Sequence, residues 1–238
     1  MNSIMRTQRV GVVLGGVAVI GGVLLAACSS DPVTVDPVAS VQKSGNTDNQ
    51  QIAAGTVVTR SPEVTLTLAS GALAVGETVT FAVESGGGSV TGAVATTDIR
   101  GKAVVRTWTL GPIAGANTLS ATSANGIKVT FTAIGIPGPA ATMVIGEGDE
   151  QSARIGTEVP VRPGVLVTDQ FGNGVQGVTV VFTPLGDSQV IGNPSVISEP
   201  DGMARAGGWQ MGSTPGEQLL EAAATGFTPL TFSATATP

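Results

Sequence analysis

The sequence has 238 residues, a formal net charge of −6, no histidine, no tyrosine and a single cysteine. Without histidine it cannot build a Ser-His-Asp or Cys-His catalytic group or an imidazole zinc site, so acid–base chemistry would rest on carboxylates or lysines. The composition therefore predicts a protein that is not an enzyme and has no cofactor, and whose acidic surface does not bind nucleic acid.

Residues 1–27 have the pattern of an export signal. Arg6 and Arg9 give a basic start, and Val10–Ala27 is an uncharged apolar run that ends in Leu-Ala-Ala before Cys28. This ending resembles the lipobox of bacterial lipoproteins, which implies cleavage before Cys28 and a diacylglycerol on its thiol. The alternative is an uncleaved membrane helix, because eighteen apolar residues just span a bilayer, although five glycines in the run disfavour a permanent helix.

The lipobox resemblance implies a protein of the bacterial cell envelope that is held to the membrane by its lipid. Ser29, rather than aspartate, follows the cysteine, and resemblance to the enterobacterial sorting rule then suggests the outer membrane. From Cys28 onward the chain keeps all 17 acidic and 9 of the 11 basic residues, a formal charge of −8, and has no second cysteine for a disulfide. Residues 28–36 are predicted to be an extended tether that reaches about 25 Å.

Beyond the tether, apolar residues alternate with polar ones at a period of two. Val64–Leu68, Val79–Val83 and Val129–Ala133 are typical, with Thr and Val enriched and Gly, Asn, Asp or Pro between the runs. This pattern favours short strands and predicts two antiparallel β-sandwiches, at residues 37–135 and 138–238. The positions predicted to face the two cores are Val64, Leu66, Val79, Phe81, Trp108, Leu110, Leu119 and Phe131, and Val165, Val167, Val180, Phe182, Trp209, Met211, Leu220 and Phe232.

The two sandwiches are copies of one repeat. A shift of 101 residues aligns the chain with itself without a gap, and it places Gly55 on Gly156 and Trp108 on Trp209. Between the copies, Ile134–Pro139 contains two prolines, which prevent a strand ladder from running through the junction. The junction is therefore predicted to be a semi-rigid hinge that joins the sandwiches end to end.

Several motifs resemble tandem bacterial immunoglobulin-like domains of the invasin/intimin type. They include Gly76-Glu-Thr-Val-Thr-Phe81, Trp108-Thr-Leu-Gly111, Gly148-Asp-Glu-Gln151 and Val167-Thr-Asp-Gln-Phe-Gly-Asn173. The resemblance covers nearly all of the chain after the leader and implies immunoglobulin-like β-sandwiches that serve as spacer or adhesion modules on bacterial surfaces. The outer-membrane barrel and receptor-binding tip of those adhesins have no counterpart in this sequence. Thr67–Ala72 also departs from the loop that the second copy has there.

Three features could carry a site, and each also has a structural interpretation. Glu147, Asp149 and Glu150 could bind calcium weakly, but they fall on Asn46, Asp48 and Asn49 of the first copy, which favours a solvated strand edge. Residues 169–174 could be a metal loop, but Asp, Gly and Asn-Gly are typical of a hairpin turn. The two tryptophans could stack on a sugar, but their strand context favours the core. No metal site and no catalytic residue is predicted.

The sequence thus predicts a lipid-anchored envelope protein with two immunoglobulin-like domains that act as a structural spacer or weak interaction module. The alternative is a surface adhesin that binds a specific carbohydrate or protein through its loops. A partner in the envelope, a protein or a glycan, is expected under either hypothesis, and no sequence feature identifies it or any ligand-binding residue.

Overall fold

The computed structural model describes Val35–Pro238, so the predicted signal peptide, Cys28 and most of the 28–36 tether lie outside the described residues. Asp36–Pro238 forms one compact unit. Every regular element in it is a β-strand, and this part of the chain contains no helix that could span a membrane. The strands of the first half are β1 Val38–Lys43, β2 Gln50–Ala53, β3 Glu63–Leu68, β4 Thr78–Ser85, β5 Ser89–Thr91, β6 Val94–Thr96, β7 Lys102–Val104, β8 Thr107–Thr109, β9 Gly115–Ser123 and β10 Lys128–Ile136.

The second half repeats the first strand for strand. Its elements are β11 Thr142–Glu147, β12 Gln151–Arg154, β13 Gly164–Thr168, β14 Thr179–Leu185, β15 Gln189–Val190, β16 Ser195–Ile197, β17 Met203–Arg205, β18 Trp209–Gln210, β19 Gly216–Ala223 and β20 Leu230–Thr237. The sheets of the first half have the strand orders β1-β3-β7, β2-β10-β9-β4-β6 and β5-β8, and those of the second half have β11-β13-β17, β12-β20-β19-β14-β16 and β15-β18. No sheet contains strands of both halves.

The alternating pattern places one apolar face of each sheet in the core. All sixteen positions predicted to face inward are at most 2% exposed, so this prediction is confirmed. The core of each half is built around one tryptophan and two phenylalanines, and in the second half Phe182 and Phe232 pack with their ring centroids 6.2 Å apart. Burial of these aromatic side chains stabilises each half without disulfides.

One strand pair in each half departs from the predicted antiparallel arrangement. The chain leaves the small sheet after β1, crosses through Ser44–Asn49 and joins the large sheet as β2, which runs parallel to β10. In the second half, β12 and β20 pair in the same way. Asp48 fixes the crossing by accepting a hydrogen bond from the backbone N–H of Thr132 (2.7 Å), and Asp149 does the same for Ser233 (2.8 Å).

The two halves differ locally in register, although the sequences align without a gap. In β4 a bulge at Glu84 interrupts the pairing with β9, whereas β14 pairs with β19 continuously. From Ser85 to Gly92 each residue therefore corresponds to the residue 100 positions later in the chain, not 101. The paired residues Val90–Trp108 and Val190–Trp209 demonstrate this, because the valines are 100 positions apart and the tryptophans 101. The difference disappears at Asn193, because Ala93 and Pro194 again occupy equivalent positions: their carbonyls accept from Phe81 and Phe182.

Candidate functional site

A network of buried hydrogen bonds lies where the two halves meet. It begins with the turn Asp169–Asn173, directly after β13. One carboxylate oxygen of Asp169, Oδ1, accepts hydrogen bonds from the backbone N–H groups of Phe171 (2.8 Å) and Asn173 (2.9 Å). Gly172 supplies the positive φ of 86° that the turn needs. The turn that the sequence predicts over 169–174 is thus present, but the flanking strands β13 and β14 lie in different sheets and do not form a hairpin.

The other oxygen of Asp169 holds the segment that links the two halves. Oδ2 accepts from the backbone N–H of Gly138 (2.9 Å) and from the side-chain amide of Asn173 (2.9 Å). The side chain is only 2% exposed. Burial alone would raise the pKa of Asp169, but the four donors, led by the Asn173 amide and the Gly138 N–H, outweigh it and lower the pKa to about 2. Each oxygen of the carboxylate accepts two hydrogen bonds from the protein, so neither oxygen is placed to bind a metal ion.

Asn173 carries the connection into the first half. Its Oδ1 accepts from the backbone N–H of Ala114 (2.8 Å), and its Nδ2 donates to the carbonyl of Pro112 (2.8 Å) as well as to Asp169. Pro112 and Ala114 belong to the loop between β8 and β9. One buried amide therefore joins a turn of the second half to a loop of the first, with its donors and acceptor all in use.

An apolar contact lies beside these hydrogen bonds. The ring of Phe171 packs against Gly55 so closely that a Cβ on Gly55 would lie 2.5 Å from Cε2 of the ring. Gly55 has a φ of +72° and donates its N–H to the carbonyl of Gly111. A cleft of about 280 Å³ beside the ring is lined by Ala53, Ala54 and Thr56 of the first half and by the linker residues 138–141. We call this arrangement, formed by Asp169, Phe171, Asn173, Gly138, Gly55 and Pro112–Ala114, the joint.

The joint was only partly foreseeable. The sequence predicts a turn at 169–174 and a hinge at 134–139 as separate features, and the structure brings them together through Asp169 and Asn173. The available signal was the difference between the copies, because the first copy has Leu68 and Ala72 where the second has Asp169 and Asn173. A polar pair that only one copy needs indicates a role outside the sandwich that both copies share.

The acidic residues 147, 149 and 150 do not form a common site. Glu147 accepts from Nε of Arg205 (2.6 Å), Asp149 holds the backbone of Ser233, and Glu150 is an exposed residue with a φ of 51°. Within Val35–Pro238 no group of three His, Cys, Asp or Glu side chains is arranged to hold a metal ion.

Both tryptophans are core residues. Trp108 and Trp209 are 0% exposed, so neither presents a face on which a sugar could stack. In the second half the indole N–H of Trp209 donates to the hydroxyl of Ser188 (3.0 Å). The indole N–H of Trp108 has no acceptor among the described residues.

Comparison with solved structures bears out the fold. Yersinia pseudotuberculosis InvD superposes with a TM-score of 0.52 at 21% identity, over 83% of this chain and 57% of that chain. The Escherichia coli adhesin FdeC (TM-score 0.45, 19% identity, 84% and 66% of the two chains) and the D0–D1 domains of intimin (0.31, 21%, 83% and 95%) are also similar. The described residues thus have the fold of invasin/intimin-type immunoglobulin-like domains, as the sequence predicts, and span little more than half of the InvD chain.

No protein-family model matches the sequence, and no curated protein matches it.

Proposed function

We propose that this chain is a lipid-anchored protein of the bacterial envelope in which the two immunoglobulin-like domains form a spacer of fixed geometry. The observation that carries the proposal is the joint. Asn173 and Asp169 link the two halves and the linker with buried hydrogen bonds, and Phe171 packs across the same boundary. Domains that are linked only by a flexible segment have no such contacts. The joint therefore favours two domains held in one relative orientation over two domains that move independently.

The anchor part of the proposal rests on the sequence around Cys28. Replacement of Cys28 by Ser should prevent attachment of the diacylglycerol and leave residues 1–27 attached, because cleavage before residue 28 requires the lipidated cysteine. Mass spectrometry of the protein purified from membranes should find residue 28 as the first residue, carrying a diacylglycerol. An unmodified Cys28, or a mature N-terminus elsewhere, would reject the lipid anchor.

The spacer part is tested by Asn173→Ala. The substitution removes the bridge to Pro112 and Ala114, and we expect a broader distribution of interdomain distances in small-angle X-ray scattering of a soluble chain that begins at Ser29. Asn193→Ala is the matched control, because Asn193 accepts a hydrogen bond from Ser195 within a turn of the second half, away from the joint. Equal scattering profiles for wild type, Asn173→Ala and Asn193→Ala would reject a joint that fixes the geometry.

The alternative function, an adhesin with a specific ligand, is favoured by one feature at the other end of the second half. An open cleft of about 490 Å³ is lined there by polar Gln189, Gln210 and Ser213 together with Met211. Asp187 closes one side and accepts hydrogen bonds from Ser213 and Thr214. Binding on a glycan array that is lost in Gln210→Ala would support an adhesin for a carbohydrate, and an array without binding would reject a glycan ligand for this cleft.

A further inference from the structure

The end of the first half at which the chain arrives from the N-terminus carries an unusual surface. The carbonyl of Pro37 accepts from the backbone N–H of Ala69 (2.9 Å), and Oδ2 of Asp36 accepts from the N–H of Ser70 (3.4 Å). The turn after β3 therefore lies beside the first described residues. Its sequence from Ala69 to Val75 contains no charged residue.

A second turn, Asp98–Gly101, lies against the first. Gly101 approaches Leu73 so closely that a Cβ on the glycine would be 3.3 Å from Cβ of Leu73, and the N–H of Gly76 donates to the carbonyl of Thr97 (3.0 Å). The two turns form one continuous surface around the incoming chain. We call Ala69–Val75 together with Asp98–Gly101 the base surface.

Three large aliphatic side chains project from the base surface into solvent. Ile99 is 83% exposed, Val75 56% and Leu73 47%. The equivalent positions in the second half hold Pro200, Gln176 and Gly174, so the sandwich itself does not require aliphatic residues there. Exposed aliphatic residues on these two adjoining turns, which the fold does not need, favour a contact with something outside it.

The base surface contains one carboxylate, Asp98, and one guanidinium, Arg100, and the carboxylate of Asp36 lies beside it. Oδ1 of Asp98 accepts from the backbone N–H groups of Arg100 (2.8 Å) and Lys102 (2.9 Å), which lowers its pKa and keeps the carboxylate within its own turn. Arg100 is exposed next to Ile99. An aliphatic tip beside a guanidinium is the composition that lies at a lipid headgroup boundary, where the cation meets phosphate and the apolar side chain meets acyl carbon.

The position of the base surface in the chain favours one occupant. In the second half the same turn, Asp169–Asn173, docks on the segment that precedes it, namely the first half. In the first half the preceding segment is the apolar run that ends at Ala27, followed by Cys28 and seven residues before Asp36. Eight extended residues reach about 25 Å, so a lipid on Cys28 would keep the base surface within reach of the bilayer.

We propose that the base surface docks on the lipid bilayer, with Ile99, Leu73 and Val75 inserted at the headgroup–acyl boundary. The inference rests on the lipid anchor of the proposed function and adds to it a second membrane contact. With one lipidated residue and one apolar tip, the first domain stands on the membrane in a fixed orientation instead of moving freely on its tether.

The experiment uses the lipidated full-length protein with one added cysteine. Because the only native cysteine carries the lipid, Ile99→Cys has a single free thiol for the fluorophore NBD, and its exposed position tolerates the label. Pro200→Cys is the matched control, at the equivalent turn of the second half. Both proteins are reconstituted into vesicles of phosphatidylethanolamine and phosphatidylglycerol, with and without lipid that carries a doxyl quencher near the headgroup.

We expect the doxyl lipid to lower the emission of the label at residue 99 by about twofold or more, because side chains of interfacial segments insert about 5–10 Å. The label at residue 200 should be unaffected. Quenching at residue 99 should also disappear when the labelled Ile99→Cys protein is released from vesicles by detergent, while the emission of the buried tryptophans reports an intact fold.

The outcomes separate the two proposals. If the protein does not float with the vesicles at all, the lipid anchor fails and the proposed function with it. If it floats but the labels at 99 and 200 respond equally to doxyl lipid, the anchor stands and the docking of the base surface is refuted. A third outcome is a label at residue 99 that is shielded from water but not quenched by doxyl lipid, in a protein that light scattering finds to be dimeric. This outcome would assign the surface to a second copy of the chain and would also refute the proposal.

Discussion

The two buried tryptophans have unequal hydrogen bonding. The indole N–H of Trp209 reaches the hydroxyl of Ser188, and the bulge at Glu84 makes Gly88, not Gly87, the counterpart of Ser188. A serine cannot replace Gly88, because its Cβ would lie 2.1 Å from the carbonyl oxygen of Thr109. The first half therefore tolerates an unpartnered indole among the described residues, at a cost that burial of the ring outweighs.

Ser188→Ala should recreate that situation in the second half. With the indole N–H of Trp209 left buried and unpartnered, we expect the free energy of unfolding of the second half to fall by about 1–3 kcal/mol. Denaturant unfolding followed by tryptophan emission measures the change. Ser152→Ala, at an exposed position on β12, is the control and should change little; equal effects of the two substitutions would contradict the hydrogen bond.

Asp169 makes the joint sensitive to acid. Its folded pKa of about 2 lies below its ordinary value of 3.8, so the ionised form is stabilised and the contribution is fully present above about pH 4. As the pH falls from 4 through 2, we expect a loss of about 2 kcal/mol from this group. Because every partner of Asp169 is a donor, Asp169→Asn brings an amide N–H against another donor.

Asp169→Asn should therefore be less stable than wild type at pH 7 and should converge with it near pH 2. Thermal unfolding at a series of pH values measures both curves. Asp201→Asn, at an exposed turn of the second half, is a suitable comparison. Parallel curves for wild type and Asp169→Asn across this range would contradict the role of the carboxylate.

At the scale of the strands, the alternating pattern was enough to locate the sheets and their inward faces, because side-chain burial in a strand follows a period of two. It could not reveal the register of β4. Glu84 adds a residue to the first half and Asn193 adds one to the second, so the two additions cancel in the count and the shift of 101 appears unbroken. It also could not reveal that β2 runs parallel to β10, since pairing direction depends on where the chain crosses between sheets.

Deletion of Glu84 tests the bulge. Without it, Val83 and Ser85 would pair with Leu119 and Thr118 as the second half already does, so we expect the first half to keep its fold and a melting temperature near that of wild type. Deletion of Ala82 is the control, because it moves Val83 outward and Glu84 toward the core. Equal loss of folding by circular dichroism in both deletions would contradict the assignment of Glu84 as the extra residue.

At the scale of the molecule, the joint is formed by the turn after β13 of the second half, the loop between β8 and β9 of the first half and the linker between the halves. The turn predicted over 169–174 is present. Of the segment predicted to be a semi-rigid hinge, Ile134–Ile136 belong to β10, and Asp169 holds the backbone of Gly138. The coupling between them could not be predicted, because it depends on Asn173 and Gly55 meeting residues 59 and 116 positions away in the chain, Ala114 and Phe171. Only the packed arrangement of both halves brings these groups together.

Gly55 and Gly156 offer a matched test of the joint. Both have a φ near +70°, so an alanine costs about 1 kcal/mol of backbone strain at either position. Only at Gly55 would the new Cβ meet the ring of Phe171, while nothing lies within 4 Å of the Cβ position on Gly156. We expect Gly55→Ala alone to alter the scattering profile of the molecule. Identical profiles for the two variants would contradict a packed contact at the joint.

Metal removal should leave the molecule unchanged. The carboxylates of Asp149 and Asp169 are held by backbone N–H groups, and a metal stabilises a protein only as far as it binds the folded state. We expect the same melting temperature in calcium and in EDTA, measured by differential scanning fluorimetry. A decrease of about ten degrees or more in EDTA would contradict this expectation and indicate a calcium-dependent junction.

The joint connects unlike ends of two similar domains, and contacts of that kind generate open filaments when copies can repeat them. Here the repetition is blocked on both sides. The outward end of the second half has Pro215 in place of Ala114, so the N–H that would donate to an asparagine is absent, and the first half has Leu68 and Ala72 in place of Asp169 and Asn173. The contact therefore forms once, within one chain, and the described residues of separate copies do not repeat it.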